Sequence, residues 1–169
     1  VFSMDAKPID SIFNLVSAST TTGFQTISLN NLNPAAFAVI IIVMIIGGCG
    51  FSTAGGLKIF RLMKLADVRN LFKKQMSKSH KNEIITALIL LVAFPIIPLF
   101  VANHMHSLGY DFGDAYFDAI SGLTTTGLRA GTVTADLDSF SIMVFSFLPI
   151  LGRVEIILLL YIFVPKLIP

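Results

Sequence analysis

Charge is scarce in this chain. Charged residues make up 13% of its 169 positions, against roughly 25% in a soluble domain. Hydrophobic residues reach 54% and mean hydropathy is +0.82, which excludes a solvated globular domain and predicts an integral membrane protein. Cysteine is scarcer still. Cys49 stands alone, so no internal disulfide can form, and its glycine-rich, apolar neighbours suit a packing role. There is no phosphate-binding loop, nucleophile elbow or zinc-type motif, and no grouping of nucleophile, base and orienting residue. An enzyme is therefore not expected, and neither is a cofactor held by this chain. His104 and His106 lack a cysteine or carboxylate set at metal spacing and read as polar residues near the outer membrane boundary. The chain opens on Val1 without a signal-peptide pattern.

What is present is an internal repeat, and a repeat bears on the fold before any single element does. Asp10–Phe24 (DSIFNLVSASTTTGF) returns as Asp114–Leu128 (DAYFDAISGLTTTGL) at a constant offset of 104 residues, with seven of fifteen positions identical. Each copy reads as a short apolar helix, too short to span a membrane, that dips in and ends on a Thr-Thr-Thr-Gly turn. The second copy has a membrane-entering helix before it and the first does not, so the chain is expected to be a fragment or one piece of a longer polypeptide.

Around the repeat the elements follow from local chemistry. Asn33-Pro34 is a helix start, with Asn as N-cap and Pro at the first helical position. Ala35–Ile46 is continuously apolar but rises only about 18 Å, short of a hydrocarbon core of about 30 Å. The span must then run into Gly47–Gly56, which holds five glycines in ten residues. Glycine is poor helix material, so the span is expected to break mid-membrane. Lys58–Lys81 contains eight of the twelve basic residues against the single acid Asp67, which places it on the cytoplasmic side. Its Leu62, Leu65, Val68, Leu71 and Phe72 recur at near-helical spacing, as in a basic amphipathic helix lying on a membrane or under a partner. Lipid head groups or a docked protein suit it better than nucleic acid. Ile84–Val101 is the next span, with kinks expected at Pro95 and Pro98, and Phe140–Val164 is the last. Asp5, Asp10, Asp111, Asp114, Asp118, Asp136 and Asp138 fall on outer segments against Lys7 and Arg129, an acidic mouth that would concentrate cations.

The expected fold is thus an all-α membrane protein of repeated helix–pore-helix–helix units, potassium-channel-like in architecture. Residues 1–58 form a unit lacking its first helix, 59–82 a cytoplasmic basic loop, and 83–169 a complete unit. In the turns, irregular backbone at membrane depth must line a watery path or be buried in protein. Carbonyl oxygens there can replace an ion's hydration shell, glycine permits the dihedrals required, and the helix C-terminus aims partial negative charge at the same place.

Three segments carry a resemblance: Ser17–Phe24, Gly47–Lys58 and Leu151–Ile156. In that order they resemble the Trk/Ktr/HKT superfamily of potassium transporters, and nearly the whole chain is similar to the third and fourth pore repeats of its C-terminal half. The resemblance implies a filter at Thr21, Thr22, Gly23 and Phe24 and at Thr125, Thr126, Gly127 and Leu128, with potassium, the substrate, at Thr22, Gly23, Thr126 and Gly127. It implies a gate of Gly47, Gly48, Gly50, Gly55 and Gly56 narrowing the pore below the filter. It further implies two more pore repeats in an N-terminal half, a homodimer, a cytosolic nucleotide-binding regulatory ring, and a multi-pass location in the cell membrane.

Arg153 is a charge in the middle of the last span, costly by about 3 kcal/mol, and it stands at the repeat position of Cys49. It is expected to face the pore and contact the glycine-rich loop. Glu155, two residues on, does not share its helix face. Other readings are a sodium-permeable or ion-coupled symporter of the same superfamily, because two filters lie outside this chain, and a non-conducting membrane scaffold.

Overall fold

A computed structural model describes residues 8–29, 33–48, 54–59, 62–63, 78–134 and 136–153. Five helices order them: α1 (Pro8–Ser19), α2 (Pro34–Ile46), α3 (Lys78–Ser107), α4 (Phe112–Leu123) and α5 (Ser139–Arg153). No strand occurs among the described residues. The expectations at Cys49, Gly50, Glu155, most of the basic loop and the end of the last span lie outside them.

Helix starts obey local chemistry. The Asn33 side chain accepts from the Ala35 N–H, with Pro34 at the first helical position, as the dipeptide predicts. For α4 the cap is Asp111, whose carboxylate accepts from Gly113 and Asp114 N–H at 2.8 and 3.1 Å. Asp114, the first residue of the repeat, sits in the first turn, and the cap falls three residues earlier. At the head of α5, Asp138 accepts from the Ser141 N–H at 3.1 Å. Hydrogen bonds from the Ser141 hydroxyl and amide hold the Asp138 carboxyl below its ordinary pKa.

The expected break in the first span is real. α2 ends at Ile46, Gly47 takes a positive φ of 67°, and its N–H closes on the Val43 carbonyl. The chain then returns to α2: the Leu57 N–H reaches the Ile45 carbonyl at 2.8 Å, and Ile59 N–H the Gly48 carbonyl at 3.4 Å. A helix end leaves carbonyls without partners, and the returning segment satisfies that of Ile45.

α3 is longer than the sequence suggests. It runs through both Pro95 and Pro98 and ends at Ser107, so Asn103–His106 belong to its last turns. Its 30 residues rise about 45 Å, enough to cross about 30 Å of hydrocarbon. Residues Ala87–Ser107 are long and apolar enough to span by that measure; α2 and α5 are apolar and shorter. Tyr116 of α4 donates its hydroxyl to the Pro95 carbonyl at 3.3 Å, tying the short helix to the long one.

Two apolar clusters hold these pieces together. One packs Leu90, Phe94, Val101 and Met105 of α3 against Ala115, Ala119 and Leu123 of α4 and Leu148 of α5. The other joins the two repeat units: Ala18 of α1 and Ile40 and Met44 of α2 pack with Phe117, Ile120, Leu128 and Ala130. Phe37 and Phe117 rings meet there at 4.6 Å, a separation at which aromatic pairs attract beyond simple burial.

Candidate functional site

α1 and α4 end in the same way, hydrogen bond for hydrogen bond. Thr20 N–H bonds the Val16 carbonyl, and Thr124 N–H the Ile120 carbonyl, at 3.0 and 2.8 Å. Thr21 and Thr125 N–H reach Ala18 and Gly122; Thr22 and Thr126 N–H reach Ser17 and Ser121, both at 2.9 Å. Side chains match too. Thr20 and Thr124 hydroxyls donate to the Val16 and Ile120 carbonyls and share hydrogen bonds with Thr22 and Thr126 hydroxyls at 2.7 and 2.9 Å. Thr21 and Thr125 have φ of 51° and 56°, and Gly23 and Gly127 φ of 81° and 87°. A left-handed threonine is costly, about 1–3 kcal/mol. The same strained residue twice, each braced by the same bonds, marks these turns as built for a purpose.

The chemistry follows from what is spent and what is left. Three consecutive N–H groups of each turn point back into the helix. Among the described residues no backbone N–H bonds the carbonyls of Thr20–Thr22 or Thr124–Thr126. In each threonine triplet the N–H groups are thus spent and the carbonyl oxygens are not, an arrangement that suits a cation better than an anion. The two turns also meet edge to edge. A Cβ built on Gly23 would run into the Thr126 carbonyl oxygen and crowd Gly127 Cα at 3.3 Å. Their surroundings differ: Thr126 and Leu128 are buried beneath the seam between the units, whereas Thr22 and Phe24 are exposed.

The glycine-rich segment touches the second turn directly. A Cβ on Gly55 would collide with the Thr124 carbonyl and lie 2.7 Å from Thr125 Oγ1. Gly47 and Gly56 stack on one another, with Gly56 Cα 3.0 Å from a Cβ on Gly47. Gly152, the repeat partner of Gly48, lies just as tightly on the Leu123 carbonyl at the end of α4. The structure therefore brings together Thr21–Phe24, Thr125–Leu128, Gly47, Gly55 and Gly56. Arg153 is the exposed last residue of α5, and it makes no hydrogen bond or ion pair among the described residues.

One expectation is corrected here. Asp118 is not part of an acidic mouth; it is 3% exposed, and its carboxylate accepts from the N–H groups of Ala130, Thr132 and Val133 at 2.5, 2.8 and 3.1 Å. Its repeat partner Asn14 does a neutral version of the same work. Asn14 accepts from the Thr26 N–H at 3.3 Å and donates to the Thr26 hydroxyl at 2.9 Å. Both residues tie the segment after the turn back to the helix before it. A third tie crosses between units: Gln25 Oε1 accepts from the Arg129 N–H at 3.0 Å. All of these pairs stand at the 104-residue offset, and that offset, extended past the identical positions, is the signal that would have found them.

Among the described residues no group of three or more histidine, cysteine, aspartate or glutamate side chains could hold a metal. His106 Nδ1 lies 3.2 Å from the Tyr110 carbonyl, and the His104 ring sits edge-on to Phe140. Both contacts lie at the C-terminal end of α3.

The chain is similar to known proteins over nearly all its length. Residues 3–167 match the model of a family described as "TrkH: Cation transport protein". An uncharacterized cation transporter of Methanocaldococcus jannaschii is 30% identical over 169 residues, covering 92% of this chain and 36% of that protein. Ktr system potassium uptake protein D of Bacillus subtilis is 26% identical, covering 90% and 36%, and Trk system potassium uptake protein TrkH of Halomonas elongata is 23% identical, covering 91% and 35%. The chain spans about a third of the length of these relatives. A repeated pair of Thr-Thr-Thr-Gly turns beside apolar helices and a family match across almost every residue lead to one conclusion: this chain belongs to the TrkH family of cation transport proteins, which are membrane proteins.

Proposed function

We propose that this chain supplies part of a multi-pass pore in the cell membrane that conducts potassium down its electrochemical gradient. Thr21–Phe24 and Thr125–Leu128 contribute two sides of a carbonyl-lined filter, and two further turns from an N-terminal half complete the ring. The glycine-rich loop, with Arg153 as an electrostatic barrier, forms the gate below it. The observation that supports this most directly is the pair of threonine triplets whose N–H groups are spent on the preceding helix while their carbonyls take no backbone N–H, seated against each other at Gly23 and Thr126. Such oxygens can take the place of an ion's water shell. Two similar proteins bear the names Ktr and Trk potassium uptake proteins, which favours potassium over sodium and transport over a scaffold or enzyme role. A homodimer and a cytosolic nucleotide-binding ring docked under the basic loop of residues 58–81 complete the assembly.

The test is potassium and sodium tracer flux through the intact assembly in vesicles, with Gly127→Ala beside the wild type. Gly127 has φ +87° and no atom within 4 Å of an added Cβ, so alanine strains the turn without a collision. Lost conduction or lost selectivity at normal membrane amount supports the filter. Wild-type flux and selectivity in the variant sink it, as does a wild type that moves no potassium.

A further inference from the structure

The two units hold their filter turns with unlike residues. In the first, Asn14 accepts from one backbone N–H, that of Thr26, and donates its amide to the Thr26 hydroxyl and the Asp10 carbonyl. In the second, Ala130 replaces that threonine, so no hydroxyl competes. Asp118 takes three N–H groups instead, from Ala130, Thr132 and Val133, while buried. Hydrogen bonds to an ionised acceptor are shorter and about twice as strong as neutral ones. A carboxylate buried at this depth needs such partners to remain charged. The clamp begins two residues past Leu128, itself buried in the seam. The chain between Thr124 and Ala130 is thus pinned at both ends to one helix: the N–H groups of Thr124–Thr126 bond carbonyls near its end, and Asp118 holds the far side from its middle.

We infer that Asp118 is a positioning residue for the second turn: its charge and its three-amide grip set where the oxygens of Thr125–Leu128 stand and how strongly they favour one cation over another. The first turn, held by neutral Asn14, is the looser of the two. The inference rests on the conduction reading above, and its test separates the two.

Asp118→Asn, which keeps the shape and removes the charge and one acceptor oxygen, is compared with the wild type in the intact assembly. Two readouts are taken: the potassium-over-sodium flux ratio at matched membrane amount, and backbone amide hydrogen exchange. Exchange at residues 130, 132 and 133 should rise about tenfold or more, the scale of losing a charge-assisted hydrogen bond, while exchange at residue 26 stays unchanged. The flux ratio should fall several-fold. Raised exchange with a wild-type ratio means packing alone and overturns the inference; unchanged exchange overturns it whatever the flux. If the wild type conducts no potassium, the conduction reading fails, and exchange alone decides whether the clamp exists. Should Asp118→Asn fail to reach the membrane, Asp118→Glu retains the charge and shifts it by one methylene. A changed ratio then supports the role, and a wild-type ratio overturns it.

Discussion

Gln25 gives its side-chain oxygen to the backbone N–H of Arg129, its own counterpart one repeat later. The bond joins equivalent positions of two units, so the first unit helps to place the segment that follows the second unit's turn. An arginine has no acceptor and cannot repay the contact in kind. The seam is therefore directional, and what each unit offers its neighbour differs.

Gln25→Leu should remove that tie. The bond is exposed, so the loss should be small, about 0.5–1.5 kcal/mol. Thermal unfolding of the purified assembly should show a modest drop, and exchange at the Arg129 amide should rise. A rise elsewhere with none at Arg129 would contradict the geometry.

Gly23→Ala and Gly127→Ala should differ although the residues are repeat partners. Both hold a positive φ, which costs an L-residue roughly 1–2 kcal/mol. Only Gly23 also drives its Cβ into the Thr126 carbonyl. Gly23→Ala should therefore lower both thermal stability and flux, and Gly127→Ala mainly flux. Equal melting temperatures for the two variants would contradict the close approach of the turns.

Gly55→Ala and Gly152→Ala each press a methyl group onto a backbone carbonyl near the end of α4, Thr124 in one case and Leu123 in the other. Overpacking of this kind costs about 1–3 kcal/mol. Both should lower stability. Gly55→Ala should also change open probability, because it displaces the turn from the side of the proposed gate. Single-channel or flux records with unchanged gating in Gly55→Ala would remove the segment from that role.

Asp111→Ala removes the cap of α4 and leaves two N–H groups, of Gly113 and Asp114, without their acceptor. Loss of a cap costs about 1 kcal/mol. Asp114→Ala should cost less, since Asp114 does not cap. Melting temperatures of the two variants check the order directly.

Much of this was legible in the sequence. The Thr-Thr-Thr-Gly repeat, the Asn33-Pro34 start and the break at Gly47 all depend on interactions within a few residues, which local spacing reports faithfully. α3 overran its expected end because Asn103–His106 are polar yet still helical. Polarity marks where a chain leaves lipid, not where a helix must stop. Asp118 misled for a similar reason. An aspartate in a short polar-faced helix looks solvent-bound, and only the chain folding back at 130–133 supplies the amides that let it be buried.

Composition and the 104-residue repeat suffice to give the membrane class, the short helices and the two turns, since burial of apolar surface and helix breaking by glycine act along the chain. The edge-to-edge seating of Gly23 on Thr126, the pressure of Gly55 on Thr124 and the unequal clamps of Asn14 and Asp118 belong to the tertiary structure alone. They arise where segments far apart in sequence meet, and no local rule says which carbonyl a distant glycine will touch or which amides a buried carboxylate will find.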